Sequence, residues 1–131
     1  MYLLDTDIII YSLKGNPQVK RHLAKHVHDS LQISIITLME LFYGAYRSLE
    51  VESNLAKVRM IEHTLISIPV NKSVADTFGR LKAKLESIGN RLDDFDLIIA
   101  ATALAENLTL VSNNERHFKR VPGLKIENWI K

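Results

Sequence analysis

The sequence predicts an α/β domain with a parallel sheet. Three observations predict it: short apolar runs alternate with segments of helical spacing, capping and stop residues stand at the joins, and no linker, repeat or low-complexity stretch interrupts the series. The chain has 131 residues, the usual size of one domain, so a single domain over 1–131 is expected.

Tyr2-Leu3-Leu4 reads as a buried strand that ends at Asp5, followed by a turn and a helix through Ile8-Ile9-Ile10 to about Leu13. Lys14-Gly15-Asn16-Pro17 stops that helix and starts another, because Gly suits a helix end and Pro a first turn. Gln18–His28 carries Val19, Leu23 and Val27 at a spacing of four, a half-exposed helix. Leu31–Ile36 is a second strand. Thr37 followed three residues later by Glu40 has the pattern of a capping box, and it opens a third helix through Leu41, Phe42, Ala45 and Leu49. Asn54–Leu65 is a fourth helix. Ile66-Ser67-Ile68-Pro69-Val70 is a third strand, placed at an edge or a strand end by its Pro. Ser73 and Asp76 suggest a cap for a helix that Gly89-Asn90 ends near Ile88. The apolar run Leu97–Ala105 is a core helix. Thr109-Leu110-Val111 is a fourth strand, Glu115–Lys119 a short turn, and Lys125–Trp129 a candidate last strand.

Bulk composition excludes several classes. Hydrophobic residues make up 47%, ample for one core, and 17 basic against 15 acidic side chains leave a net charge of +2. That balance excludes a strongly basic tail but permits a basic rim around an acidic pocket. With no Cys, a disulfide framework, a thiolate zinc site and a Cys nucleophile are excluded. No apolar run approaches the ~20 residues that span a bilayer, and Tyr2-Leu3-Leu4 is too short for a signal peptide core. No membrane association and a cytoplasmic location are the expectation.

The chemistry concentrates in Leu92–Ala105, where Asp93, Asp94 and Asp96 stand at the mouth of the core helix. Acids in a first helical turn face free N–H groups and a favourable dipole, so Asp93 reads locally as an N-cap. Three acids beside a core helix suggest a cation as well, since packed carboxylates repel unless something positive lies between them. In a parallel sheet ligands collect beyond the carboxyl ends of the strands. That rule selects Asp5 after the first strand, Glu40 shortly after the second, Asn114 shortly after the fourth, and Asp94 and Asp96 on the helix that feeds the fourth. Each has a bland reading. Asp5 or Asp7 caps the following helix, with Asp7 the better candidate for that role. Glu40 completes the capping box, and Asn114 caps the next turn. Asp94 lies about 200° round the helix from Asp96, so the two cannot point the same way.

Oxygen-only side chains, without Cys or clustered His, suit Mg²⁺, with Mn²⁺ as an alternative. His22 and His26 lie four apart, but Leu23 stands where a zinc-protease pattern needs Glu, so both are expected in solvent. No Gly-rich phosphate loop and no Gly-x-Ser-x-Gly occurs. A carboxylate-held Mg²⁺ activates water and stabilises charge on phosphoryl oxygens, which points to phosphate esters. Arg47, Arg91 and Arg116, with Lys119 and Arg120, suggest a positive rim for a nucleic-acid backbone.

Several segments together resemble a known family. Leu3-Leu-Asp-Thr-Asp-Ile-Ile-Ile-Tyr11 resembles the opening of PIN-domain ribonucleases, which more often show Asp-Thr-Asn. Ile36-Thr-Leu-Met-Glu-Leu-Phe-Tyr-Gly44 resembles their second motif, and Asp94-Phe-Asp-Leu-Ile-Ile-Ala-Ala101 their third. Leu110–Phe118, with Val121–Trp129, resembles the C-terminus of VapC-type toxins. The resemblance runs nearly end to end, with the motifs in the family's order. It implies a PIN-like three-layer domain, with a short parallel sheet of four to five strands flanked by helices. It also implies the toxin of a type II toxin-antitoxin system: a Mg²⁺-dependent endoribonuclease cleaving structured RNA, tRNA or ribosomal RNA. Such a toxin is held inactive by a VapB-type antitoxin, is commonly a homodimer, and with its antitoxin often represses its own operon. Carried over by position, Asp5, Glu40 and Asp96 would bind metal and orient the attacking water. Asn114 stands where relatives have Asp, so a fourth charged ligand is in question, and Asp7 for the commoner Asn adds charge beside Asp5.

Two other readings compete. Asp5-Thr6-Asp7 after an apolar strand also fits the nucleophile motif of HAD-type phosphomonoesterases, although no convincing later Lys and acid pair follows. A non-catalytic nucleic-acid-binding module, whose acids are only helix caps, is the other. The apolar stretches Ile8–Leu13 and Leu41–Tyr46 exceed what one sheet face must cover, so a second copy or an antitoxin helix is expected to meet part of them.

Overall fold

The computed structural model describes all residues, 1–131. Its centre is a five-stranded, wholly parallel sheet of β1 (Tyr2–Leu4), β2 (Leu31–Ser34), β3 (Ile66–Ile68), β4 (Thr109–Val111) and β5 (Ile126–Glu127), in the order β3-β2-β1-β4-β5. Parallel strands need crossover connections, and helices supply them. They are α1 (Thr6–Leu13), α2 (Pro17–Lys25), α3 (Ile35–Tyr46), α4 (Val51–Thr64), α5 (Lys72–Ser87), α6 (Asp94–Ala105) and α7 (Glu115–Phe118).

The strands are apolar throughout because both faces are covered. On one face Leu3 and Leu110 pack with Val74, Leu81 and Leu85 of α5 and Leu97, Ile99 and Ala103 of α6. On the other, Leu4, Ile33 and Val111 pack with Ile8 and Ile9 of α1, Val19 of α2, Leu38 and Leu41 of α3, Val58 of α4 and Trp129. Helix α3 serves both layers, since Ile36 joins the first cluster and Leu38 the second. The three-layer arrangement is the one expected, and β3 with its following Pro is indeed an edge strand.

The joins differ in detail. The capping box fails: Ser34 is the N-cap of α3 and takes the Ile36 N–H at 3.0 Å, so the helix starts two residues before Thr37. Asn71, not Ser73, caps α5 by accepting from Val74 N–H at 3.0 Å. Both misassignments have one cause: several Ser, Thr and Asn residues stand near each join, and which one turns inward depends on the packed helix. Gly89 ends α5 at φ +73°, where a side chain would be strained.

The site's location follows from the topology. From β1 the chain moves to β2 and β3 on one side, and β4 and β5 lie on the other. Loops leaving β1 and β4 therefore diverge and open a crevice at the carboxyl ends of the central strands.

Candidate active site

That crevice is a cleft of about 450 Å³ lined by Asp5, Thr6, Asp7, Ile10, Glu40, Asp96, Asn113 and Asn114. Four carboxylates from three separated segments meet there, with one apolar side chain and no cation among the lining residues.

Asp5 is 6% exposed and fixed from two sides. The Thr6 N–H donates to Oδ1 at 2.8 Å, making Asp5 the N-cap of α1, and the buried Ser112 hydroxyl donates to Oδ2 at 2.8 Å. The Asn114 N–H donates in turn to Ser112 Oγ at 2.9 Å. Asp7, the expected cap, is not one. It lies inside α1 and faces the cleft: Oδ2 takes the Asn113 N–H at 3.0 Å, while Oδ1 is buried with no hydrogen-bond partner. Glu40 is reached through Thr6, whose hydroxyl donates to Oε1 at 2.7 Å. Asp96 lies in the first turn of α6, capped by Asp93, which takes the Phe95 N–H at 3.2 Å.

The electrostatics agree with this crowding. Burial, and then the neighbouring Asp7 charge, push the Asp5 carboxyl up to about 7, against the hydrogen bonds from Ser112 and Thr6 that favour its ionised form. Burial also raises Asp7 above the usual carboxylate range. Asp96 is raised by burial first, then by the charges of Asp93 and Glu40.

A hard divalent cation fits this donor set. All donors are oxygens, the charges repel one another, and Asp7 Oδ1 is a buried acceptor left bare. The carboxylates surround the cleft without closing on one point, and no three His, Asp or Glu side chains form a ready-made chelate. Asp5 and Glu40 are oriented by hydroxyl and amide donors.

Asp94 does not line the cleft. It points toward α5, where Lys82 Nζ lies 2.9 Å from Oδ1, as its angular offset from Asp96 requires. Asn114 does line the cleft, and as the N-cap of α7 it makes no side-chain capping bond; its Nδ2 donates to His117 Nδ1 at 2.8 Å. Two of the three expected RNA-facing arginines are engaged elsewhere. The Arg47 guanidinium lies 5.6 Å above the Tyr43 ring, and Arg91 pairs with Glu86 at 3.3 Å. Arg116 is exposed next to the Asn114 loop. Sequence reasoning missed Ser112, Thr6 and Asn113. Ser112 directly follows β4, so the strand-end rule that selected Asp5 could have found it. His22 and His26 are not simply solvated: both rings stack on the buried Trp129, at 5.5 and 4.7 Å between centroids.

Residues 2–124 match the PIN domain family. The chain belongs to that family. Its relatives refine the placement. It is 38% identical over 135 residues to "Ribonuclease VapC2" of Rickettsia felis, covering 100% of this chain and 99% of the relative. It is 37% identical to the "tRNA(fMet)-specific endonuclease VapC" of Salmonella typhimurium, covering 98% and 97%. Among solved structures, VapBC2 from Rickettsia felis bound to a promoter DNA fragment superposes with a TM-score of 0.92 at 36% identity, covering 98% of both chains. This PIN-domain chain is therefore of the VapC ribonuclease type.

Proposed function

We propose that this chain is a single-domain, metal-dependent endoribonuclease, the VapC-type toxin of a type II toxin-antitoxin pair, with Asp5, Glu40 and Asp96 as its catalytic groups. The observation that carries the reading is the convergence of carboxylates from α1, α3 and α6 on one cleft, with the bare buried Oδ1 of Asp7 among them. Asp5, Glu40 and Asp96 would hold the cation, with Asp7 and Asn114 beside them. We take the ion to be Mg²⁺, which Mn²⁺ can replace, because the donors are hard oxygens. A divalent ion bound there lowers the proton affinity of a water and stabilises charge on a phosphoryl oxygen.

The chain's own groups prepare that chemistry. Ser112 and the Thr6 N–H orient both oxygens of Asp5, so the carboxylate does not have to find its geometry when substrate arrives. Thr6 holds Glu40 across from it. Asp5, whose carboxyl is pushed up to about 7, gives the cleft a group that exchanges protons near neutral pH, and Asp7 and Asp96 are raised in the same direction. Arg116, with Lys119 and Arg120, offers positive charge to an RNA backbone at the Asn114 side.

The Salmonella relative's name favours tRNA over ribosomal RNA as the substrate. A VapB-type antitoxin is the proposed partner. An apolar groove of about 370 Å³ lined by Ile10, Leu13, Leu41, Ala45 and Val58 adjoins the site and shares Ile10 and Glu40 with it. A helix seated there would lie beside the carboxylates. A homodimer and a cytoplasmic location complete the reading, and no helix is long and apolar enough to cross a membrane. The HAD-type alternative finds no Lys among the cleft's lining residues.

The test is to incubate purified protein with total tRNA and map the new RNA ends. Cleavage should need Mg²⁺, stop with EDTA, and disappear in Asp5→Ala and Asp96→Ala proteins that keep their circular dichroism. Wild-type rates in both variants would show the site to be misassigned. RNA binding without cleavage would favour the non-catalytic module.

A further inference from the structure

Thr37 is fully buried in α3, three residues before Glu40, and caps nothing. A threonine inside a helix ordinarily returns its hydroxyl to the carbonyl one turn back. Thr102 does so to Ile98 O at 2.8 Å, and Thr64 to Met60 O at 2.7 Å. Thr37 instead meets Thr6, 31 residues away in sequence, at 3.0 Å between hydroxyl oxygens. Thr6 Oγ1 lies in turn 2.7 Å from Glu40 Oε1.

Each hydroxyl has one proton, and a carboxylate only accepts. The Thr6 proton therefore goes to Glu40, and the Thr37 proton goes to Thr6. The chain of donation runs Thr37 to Thr6 to Glu40. Such chains polarise one another, so the outer hydroxyl strengthens the inner bond. Thr6 stands between Asp5 and Asp7 at the start of α1, so the relay ties the segment bearing two acids to the helix bearing a third.

We propose that Thr37 is a positioning residue for the cation site, acting through Thr6 to hold the Glu40 carboxylate in one orientation. This rests on Glu40 being a cation ligand. Thr37 touches neither substrate nor ion. Its effect is on how much ordering Glu40 needs when the ion binds.

The test is Mn²⁺ binding measured by calorimetry on the full chain without RNA. Thr37→Val keeps the shape and removes the hydroxyl; it should weaken Mn²⁺ binding about tenfold. Thr37→Ser should restore it to near the wild-type value. Glu40→Gln is the reference and should weaken binding at least as much. Adding Thr37→Val to Glu40→Gln should then cost nothing further, because the hydroxyl acts only through that carboxylate. If Glu40→Gln weakens binding but Thr37→Val does not, or if Ser fails to rescue, the relay is refuted and the site stands. If Glu40→Gln itself binds Mn²⁺ like wild type, the ligand assignment fails and the relay with it. Should buried Val unfold the chain, Thr37→Ala removes the same hydroxyl with a smaller side chain and is held to the same outcomes.

Discussion

Helices α1 and α6 begin alike. Each is capped by an Asp through its own side chain, Asp5 to the Thr6 N–H and Asp93 to the Phe95 N–H, and each carries more acid in its first turn. Their fates differ. Asp5 sits at the end of the central strand β1, is buried, and takes a second donor from Ser112 on the neighbouring strand's loop. Asp93 is exposed at the end of a surface loop, and Asp94 beside it pairs with Lys82. Only Asp96 of that trio turns into the cleft. Acid spacing is therefore a poor guide to function. Burial decides: Asp5 directly follows the central strand and is desolvated, whereas Asp93 lies in an exposed loop and stays a cap.

The sharpest way to break this comparison is to make the same change at both caps. Asn caps a helix as well as Asp does, so Asp5→Asn and Asp93→Asn each keep the capping oxygen. Asp5→Asn should lower RNA cleavage by about 10³-fold, equivalent to about 4 kcal/mol of lost charge stabilisation. Asp93→Asn should leave cleavage at the wild-type rate and stability within about 0.5 kcal/mol. Equal losses at both positions, measured with one RNA substrate, would show that the two helix starts are functionally equivalent.

A second difference is expected with pH. Asp5 is raised to about 7, mainly by burial, whereas the unfolded chain titrates it near the ordinary carboxylate value. Between those values the folded state holds a proton that the unfolded state has lost. Without metal, this contribution to stability is fully present at pH 4 and fades as pH rises through about 7. Asp7 and Asp96 are shifted the same way. Cation binding needs the ionised form, so its affinity should climb by up to about tenfold per pH unit below 7 and then level off. Melting temperatures from pH 4.5 to 8, with and without Mn²⁺, check both halves. Without metal the wild type should lose stability across the range relative to Asp5→Asn, and Mn²⁺ should remove the loss. A metal-free wild type that tracks Asp5→Asn at every pH would contradict the burial of Asp5.

The elements were legible because they are apolar in runs. Leu3-Leu4, Ile33 and Leu110-Val111 lie in strands covered on both faces, and α6 announces itself by Leu97–Ala105, whereas the apolar Ile35-Ile36, read as the end of β2, begins α3. The strand-end rule selected Asp5, Glu40, Asp94, Asp96 and Asn114, and all but Asp94 line the cleft. It could not settle which polar residue at a join caps the helix. Ser34 took the role given to Thr37, and Asp5 the role given to Asp7, because the choice depends on which side chain the packed layers exclude. Nor could it find partners distant in the chain. Nothing local in Thr37, Thr6 or Ser112 predicts a bond to a residue 31 or 107 positions away. The arginines show the same limit: Arg47 rests on a Tyr ring and Arg91 on Glu86, local partners that their spacing from the motifs does not reveal, while Arg116 is exposed beside the Asn114 loop.

The smallest expected effect tests the flank. Lys82 and Asp94 form a pair at 2.9 Å whose side chains are 38% and 59% exposed. Pairs this accessible contribute about 0.2–1 kcal/mol, and Asp94 adds a similar small gain from the dipole at the start of α6. Asp94→Asn should therefore lower the melting temperature by no more than about 5 °C and leave both cleavage and Mn²⁺ affinity unchanged. Raising salt should shrink the difference, since exposed charges are screened. Loss of cleavage on this change, with the fold intact, would mean that Asp94 swings from Lys82 to the cleft in the working enzyme. The number of acids at the helix start, rather than their burial, would then set the strength of the site.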